Sequence, residues 1–163
     1  MAAKKAAKKK KKKAARKKAA QRAPKKKTTR RASKKAPGRR TKSERLLDRA
    51  RAIIAAWPET DERLSHGSPT WWGGKKTFAT FHENHHGDGR IALWIKSDFD
   101  AQEGLVEANP DLFFVPPYVG PSGWIGVVLD RDVDWGVVAG LLEDGYRAVA
   151  PRRAIARLDG GQR

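Results

Sequence analysis

Residues 90–96 read Arg90-Ile91-Ala92-Leu93-Trp94-Ile95-Lys96, and their parity fixes the architecture. Ile91, Leu93 and Ile95 recur every second residue, the period at which a β-strand returns to one face, and Trp94 points to the other. The same alternation returns in residues 123–130, where Ile125, Val127 and Leu129 share a face, and a further strand is expected over residues 76–82. Between 76–82 and 90–96, Asn84-His85-His86-Gly87-Asp88-Gly89 has the composition of a hairpin turn. Residues 112–115 add another strand.

Helices flank these strands. Thr41-Lys42-Ser43-Glu44 is a capping box, in which the Thr41 hydroxyl and the Glu44 carboxylate satisfy otherwise orphaned amides. Leu46, Leu47, Ala50, Ile53, Ile54 and Trp57 then line one helical face, and Pro58 stops it. A short helix over 100–108 closes at Asn109-Pro110. Asp134 caps a last helix carrying Val137, Val138, Leu141, Leu142, Tyr146 and Val149, which ends before Pro151. Pro116-Pro117-Tyr118-Val119-Gly120-Pro121-Ser122-Gly123 cannot form a continuous ladder and reads as a rigid, projecting loop. Helix, strands, helix, strands, helix is the order of an α+β fold: two layers, an antiparallel sheet with helices on one face.

Charge divides the chain. Of its 36 Lys and Arg, 22 fall in residues 1–43, and none of its 18 acids do, which leaves 14 bases against 18 acids and a body of net −4. A block of like charge with so little apolar content cannot bury enough surface to offset its ordering entropy, so residues 1–43 are expected to be a disordered tail. Residues 44–153 form the domain, and 154–163 a short C-terminal extension. The tail's Ala/Lys/Pro composition resembles linker-histone tails and the basic extensions of bacterial nucleoid proteins. Its cations Lys4, Lys5, Lys8, Lys9, Lys10, Lys11, Lys12, Lys13, Arg16, Lys17, Lys18, Lys25, Lys26, Lys27, Arg30, Arg31, Lys34, Lys35, Arg39 and Arg40 are the expected nucleic-acid contacts. Lysine is a point charge without a fork for base edges, so binding is expected to be independent of sequence. DNA is the expected partner, and RNA serves equally on these grounds.

Composition narrows the rest. The chain has no Cys, which removes disulfides and thiolate zinc sites. No run of about 18 apolar residues spans a bilayer, and the start lacks the apolar region of a secretory signal. A cytoplasmic, nucleoid-associated protein without a membrane partner is the expectation. His82-Glu83-Asn84-His85-His86 spells H-E-x-x-H, but its neighbours read as strand and turn rather than the helix that zinc proteolysis needs, so the histidines are read as a solvated turn. An iron-handling acidic ridge on the first helix is opposed by Arg45, Arg49 and Arg51, which interleave with Glu44 and Asp48. Nothing pairs a nucleophile with a base. No enzyme activity, metal or cofactor is expected.

Several spaced motifs occur together: Gly67-Ser68-Pro69-Thr70-Trp71, Gly74-Lys75-Lys76-Thr77-Phe78-Ala79-Thr80, Leu93-Trp94-Ile95-Lys96, Phe113-Phe114-Val115-Pro116-Pro117-Tyr118-Val119-Gly120, Gly123-Trp124-Ile125-Gly126-Val127 and Asp134-Trp135. Running in this order from about Glu44 to Arg153, they resemble the MmcQ/YjbR family. The resemblance implies a frataxin-like, double-wing fold and a family commonly labelled DNA-binding; it carries over no catalytic residues, and the basic tail lies outside it. Within the domain, Lys75, Lys76, Arg90, Lys96, Arg152 and Arg153 are the expected basic edge, with Trp94 and Tyr118 as aromatics to stack on bases. The leading expectation is therefore a nucleic-acid-associated binding protein. The alternative is a protein-interaction or small-ligand domain near residues 116–124, with the tail serving only to localise it.

Overall fold

A computed structural model describes residues 40–161. The tail contacts from Lys4 to Arg39 lie outside these residues. Helix α1 (Lys42–Ile54) opens on the expected capping box: Glu44 N donates to Thr41 Oγ1 at 3.1 Å, and Thr41 N donates to Glu44 Oε2 at 2.7 Å. Six strands follow, β1 (Thr60–Ser65), β2 (Ser68–Gly73), β3 (Lys76–Glu83), β4 (Ile91–Lys96), β5 (Phe113–Phe114) and β6 (Trp124–Val128), in one antiparallel sheet ordered β1-β2-β3-β4-β6-β5. Helix α2 (Phe99–Ala108) connects β4 to β5, and α3 (Trp135–Val149) and α4 (Arg152–Gly161) follow β6. Asp98 and Asp134 cap α2 and α3 through Ala101 N and Gly136 N, at 2.8 and 2.7 Å.

The expected parity holds. Leu93, Ile95, Ile125, Val127 and Leu129 lie in the main core with Ala50 and Ile54 of α1, Val138, Leu142 and Tyr146 of α3, and Ala154 and Leu158 of α4. Tyr146 is fully buried between Trp57 and Phe78, with ring centroids 5.3 and 5.7 Å away, and its hydroxyl donates to the Pro58 carbonyl at 2.5 Å. Burial pushes the Tyr146 phenol above its ordinary pKa.

Four features depart from the expectation. The register of β2 with β3 slips between Trp71 and Trp72, because Phe78 is an extra residue on β3; this bulge turns both Phe78 and Ala79 into the core. β1 carries Asp61, Glu62 and Arg63, is mostly exposed, and forms one edge of the sheet, so no apolar alternation announces it. Residues 112–115 give only the two-residue β5, at the other edge. Finally, the chain does not trail away after 153: α4 sets Ala154 and Leu158 one turn apart into the core, and Glu59 binds it through Arg153 and Arg157.

Candidate functional site

Among the described residues, no α-helix contributes to the apolar cluster on the sheet's second face. Thr70 and Thr80 share a hydrogen bond at 3.0 Å there, and Ala92, Trp94 and Trp124 form a small apolar cluster joined by Phe114 and Val119. Residues 116–123 cover this face, which corrects the expectation that they project. Pro116 and Gly120 are buried, and two side-chain donors, Gln102 and Lys96, tie the segment down. The buried Gln102 of α2 donates from Nε2 to the carbonyls of Gly120 and Trp124 at 2.9 and 2.5 Å, and Lys96 Nζ donates to that of Ser122 at 2.9 Å. Phe114 lies on Gly126: a Cβ at that glycine would sit 2.3 Å from the ring, so only glycine admits it. Tyr118 is 76 % exposed and held at φ 66°, a conformation most residues avoid.

Against Tyr118 stands a column of histidines. His82, on β3, stacks on Trp94 with centroids 3.8 Å apart, and its Nδ1 lies 3.2 Å from Ser68 Oγ. His85 meets His82 and Trp94 edge-on at 4.9 and 4.7 Å. His86 follows at 4.2 Å, and its Nε2 is 3.3 Å from the Tyr118 hydroxyl. Asn84 and His86, like Tyr118, have positive φ, and Asn84 Oδ1 accepts from Gly89 N at 2.8 Å to close the turn. The Nε2 atoms of His82 and His85 are buried without a hydrogen-bond partner. Burial first, then the charge of His85, lowers the His82 pKa to about 4, and Asp88 opposes this in part. The reading of these histidines as a solvated turn is thereby corrected for His82 and His85, while His86 is exposed as expected. Counting from the hairpin supplies the missed signal: His82 shares the parity of Thr80, which pairs with Trp94.

The other candidate residues are dispersed. Trp94 does lie opposite Leu93, but at 5 % exposure beneath two imidazoles it offers no ring to a base. Lys96 is partly buried and committed to the Ser97 and Ser122 carbonyls. Lys75 and Lys76 are exposed at the β2–β3 turn, near Arg152 and Arg153, because Pro151 packs on Gly74; Arg153 is paired with Glu59 at 2.8 Å. Arg90 lies at the opposite end of β3 and β4, its guanidinium 4.6 Å over the Phe114 ring. One continuous basic edge is therefore not formed: Arg90 and Tyr118 lie with the histidines, and the lysines do not. Arg40 pairs with Asp48 at 2.5 Å and Asp48 also meets Arg51, so of the three arginines expected to oppose the acids of α1 Arg51 does so, whereas Arg49 lies over Trp135.

The family model for YjbR matches residues 55–148, more than half of the chain. The chain belongs to the YjbR family. A crystal structure of a Deinococcus radiodurans protein with a DUF419 domain is similar to it at TM-score 0.53 and 20 % identity, over 61 % of this chain and 75 % of that one. No curated protein matches it. In this YjbR domain the motif glycines Gly123 and Gly126 have structural work, a left-handed turn and a seat for Phe114. Among the described residues no group of His, Asp or Glu is placed to hold a metal ion, and no helix is long and apolar enough to cross a membrane. Ser68 Oγ meets His82 Nδ1, and among the described residues His82 Nε2 has no hydrogen-bond partner.

Proposed function

We propose that this YjbR-family protein is a nucleic-acid-associated binding protein, nucleoid-associated in the cytoplasm, rather than an enzyme. Residues 1–43 supply sequence-independent affinity, and the folded domain adds shape recognition or engages a partner. The observation that carries this reading is the partition of charge: 22 cations without one acid in 1–43, against a body of net −4. A domain of that sign is repelled by duplex phosphate as a whole, and Arg90 stands at the opposite end of β3 and β4 from Lys75 and Arg152, so these cations do not join into one extended surface. Each tail cation laid on a phosphate releases counterions, lowering log K by about 0.9 per unit of log salt. Eight engaged cations thus lose about four decades of affinity between 50 and 200 mM salt.

The test is a binding titration on duplex DNA, single strands and structured RNA at several salt concentrations. It compares the full chain, a form lacking residues 1–39, and a full-length form with Lys8 to Lys13 changed to Gln. Truncation stops at 39 because Thr41 caps α1 and Arg40 pairs with Asp48. Loss of binding in the truncated form, and a shallower salt slope in the Gln form, are expected. Equal affinity and slope in all three forms would sink the reading.

A second reading, a protein-interaction domain that the tail only localises, draws on Tyr118, a large exposed side chain on a segment fixed by Gln102 and Lys96. Small-ligand binding has less support: the groove between α1 and the ends of β2 and β3, lined by Ser43, Leu47, Pro69 and Phe81, is an open trough of about 270 Å³. Tyr118→Ala separates the two readings. Nucleic-acid binding through the tail survives this change, whereas partner capture does not.

A further inference from the structure

The histidine column is unusual in what it omits. Two imidazoles lie 4.9 Å apart on one indole, each with a buried, unpartnered Nε2. The groups that face them are few. From β2 comes the Ser68 hydroxyl, from β4 the Trp94 ring, from the 116–123 segment the Tyr118 hydroxyl by way of His86, and from the turn Asp88. Asp88 already accepts from Arg90 N at 3.1 Å, and Glu83, the next residue on β3, is bound to Ser43 at 2.8 Å. A proton on each ring would therefore set two like charges within one ring-width, with no partner on either buried Nε2.

We propose that this face is an acid-sensitive latch: His82 and His85, stacked on Trp94, hold the 84–89 turn and the 116–123 segment over it, and protonation within the stack separates them. The proton acceptors are the two buried Nε2 atoms, which must turn to water once charged, because nothing in the cluster accepts from them. The movement available is local. β3 ends at Glu83, and the turn beyond it contains two non-glycine residues at positive φ, Asn84 and His86. Once the turn leaves, Tyr118 loses His86, and Trp94 and Trp124 become accessible beside Arg90. Acid thus converts a covered apolar face into an aromatic, cationic one, the surface chemistry that suits a phosphate-bearing or otherwise anionic partner. This inference does not depend on the tail.

The experiment follows the histidine ring and tryptophan indole NMR signals of the full-length protein from pH 8 to pH 4, with Trp94→Phe assigning the Trp94 indole. His82 is expected to titrate below the ordinary histidine value of about 6.5. The Trp94 indole should become accessible to a quencher over the same pH range. His82→Phe keeps a ring on Trp94 without a site for the proton, and should leave Trp94 shielded down to pH 4. If that variant does not fold, His85→Phe removes the second charge and should raise the His82 midpoint. His82 titrating at 6.5 or above, Trp94 staying shielded while His82 titrates, a His82→Phe protein that opens with the wild-type midpoint, or a His82 midpoint unmoved by His85→Phe would each overturn the proposal.

Discussion

Gly126→Ala is the sharpest test of how the second face is built. A Cβ at this position would stand 2.3, 2.5 and 2.6 Å from three atoms of the Phe114 ring, well inside contact distance. The ring cannot simply slide away, for it packs on the Ala92, Trp94 and Trp124 cluster and carries Arg90 at 4.6 Å. Overpacking of this kind costs about 1–3 kcal/mol, and the contact is at the severe end. Alanine recovers about 0.5–1 kcal/mol of backbone entropy in a strand, so the net loss is about 2 kcal/mol. In a Phe114→Ala background the obstacle is gone, and Gly126→Ala should be neutral or slightly stabilising. The coupling in a double-mutant cycle is then about 2 kcal/mol. Urea unfolding at pH 7.5, followed by tryptophan emission, measures all four proteins. A Gly126→Ala midpoint equal to wild type, or an equal cost with and without Phe114, would refute the argument that this glycine exists to seat the ring.

Other changes probe the core and its charges. Tyr146→Phe leaves the Pro58 carbonyl without its 2.5 Å donor and should cost about 1–2 kcal/mol in the same assay. Stability should also depend on pH through His82, whose pKa falls from 6.5 unfolded to about 4 folded. Between these values the unfolded chain binds the extra proton, so this contribution is complete above pH 6.5 and declines as pH falls toward 4. The full gap corresponds to about 3 kcal/mol. Partial access of water and the attraction of Trp94 for an imidazolium reduce it to about 1 kcal/mol, readable as the drop in unfolding free energy from pH 7 to pH 4.5 that His82→Phe abolishes. Glu59→Gln should loosen α4, seen as faster amide exchange over residues 152–161. The hydrogen bond from Arg153 holds the Glu59 carboxyl below its ordinary pKa, so its grip on α4 is present at neutral pH and lost as pH falls through that lowered value.

Much of this fold is legible in the sequence, for reasons that also mark where legibility ends. Ile91, Leu93 and Ile95 announce β4 because a half-buried strand must alternate, and Thr41 with Glu44 announces α1 because orphan amides need acceptors. β1 is silent since an edge strand gains nothing from apolar alternation, and the Phe78 bulge hides because its extra residue reverses parity in mid-strand. Helix α4 is short and buries only Ala154 and Leu158, and Pro151, read as a terminator of α3, also stands immediately before it. The site was legible by side only. Parity places Trp94 on the second face, whereas its burial depends on His85 and the 116–123 segment, which reach it through turns whose paths periodicity does not encode.

The edges of the sheet matter if the proposed grip of the tail is correct. A long polyanion would then collect many copies along its length and bring their sheets flank to flank. Exposed strand borders in such a crowd tend to zip together into continuous cross-chain ribbons. Here one border, β1, presents Asp61, Glu62 and Arg63, with Glu62 held by Arg51 at 2.6 Å, and the other, β5, is two residues long. Neighbouring molecules would therefore line up as separate beads on a string, and the thread could let them go again when salt rises.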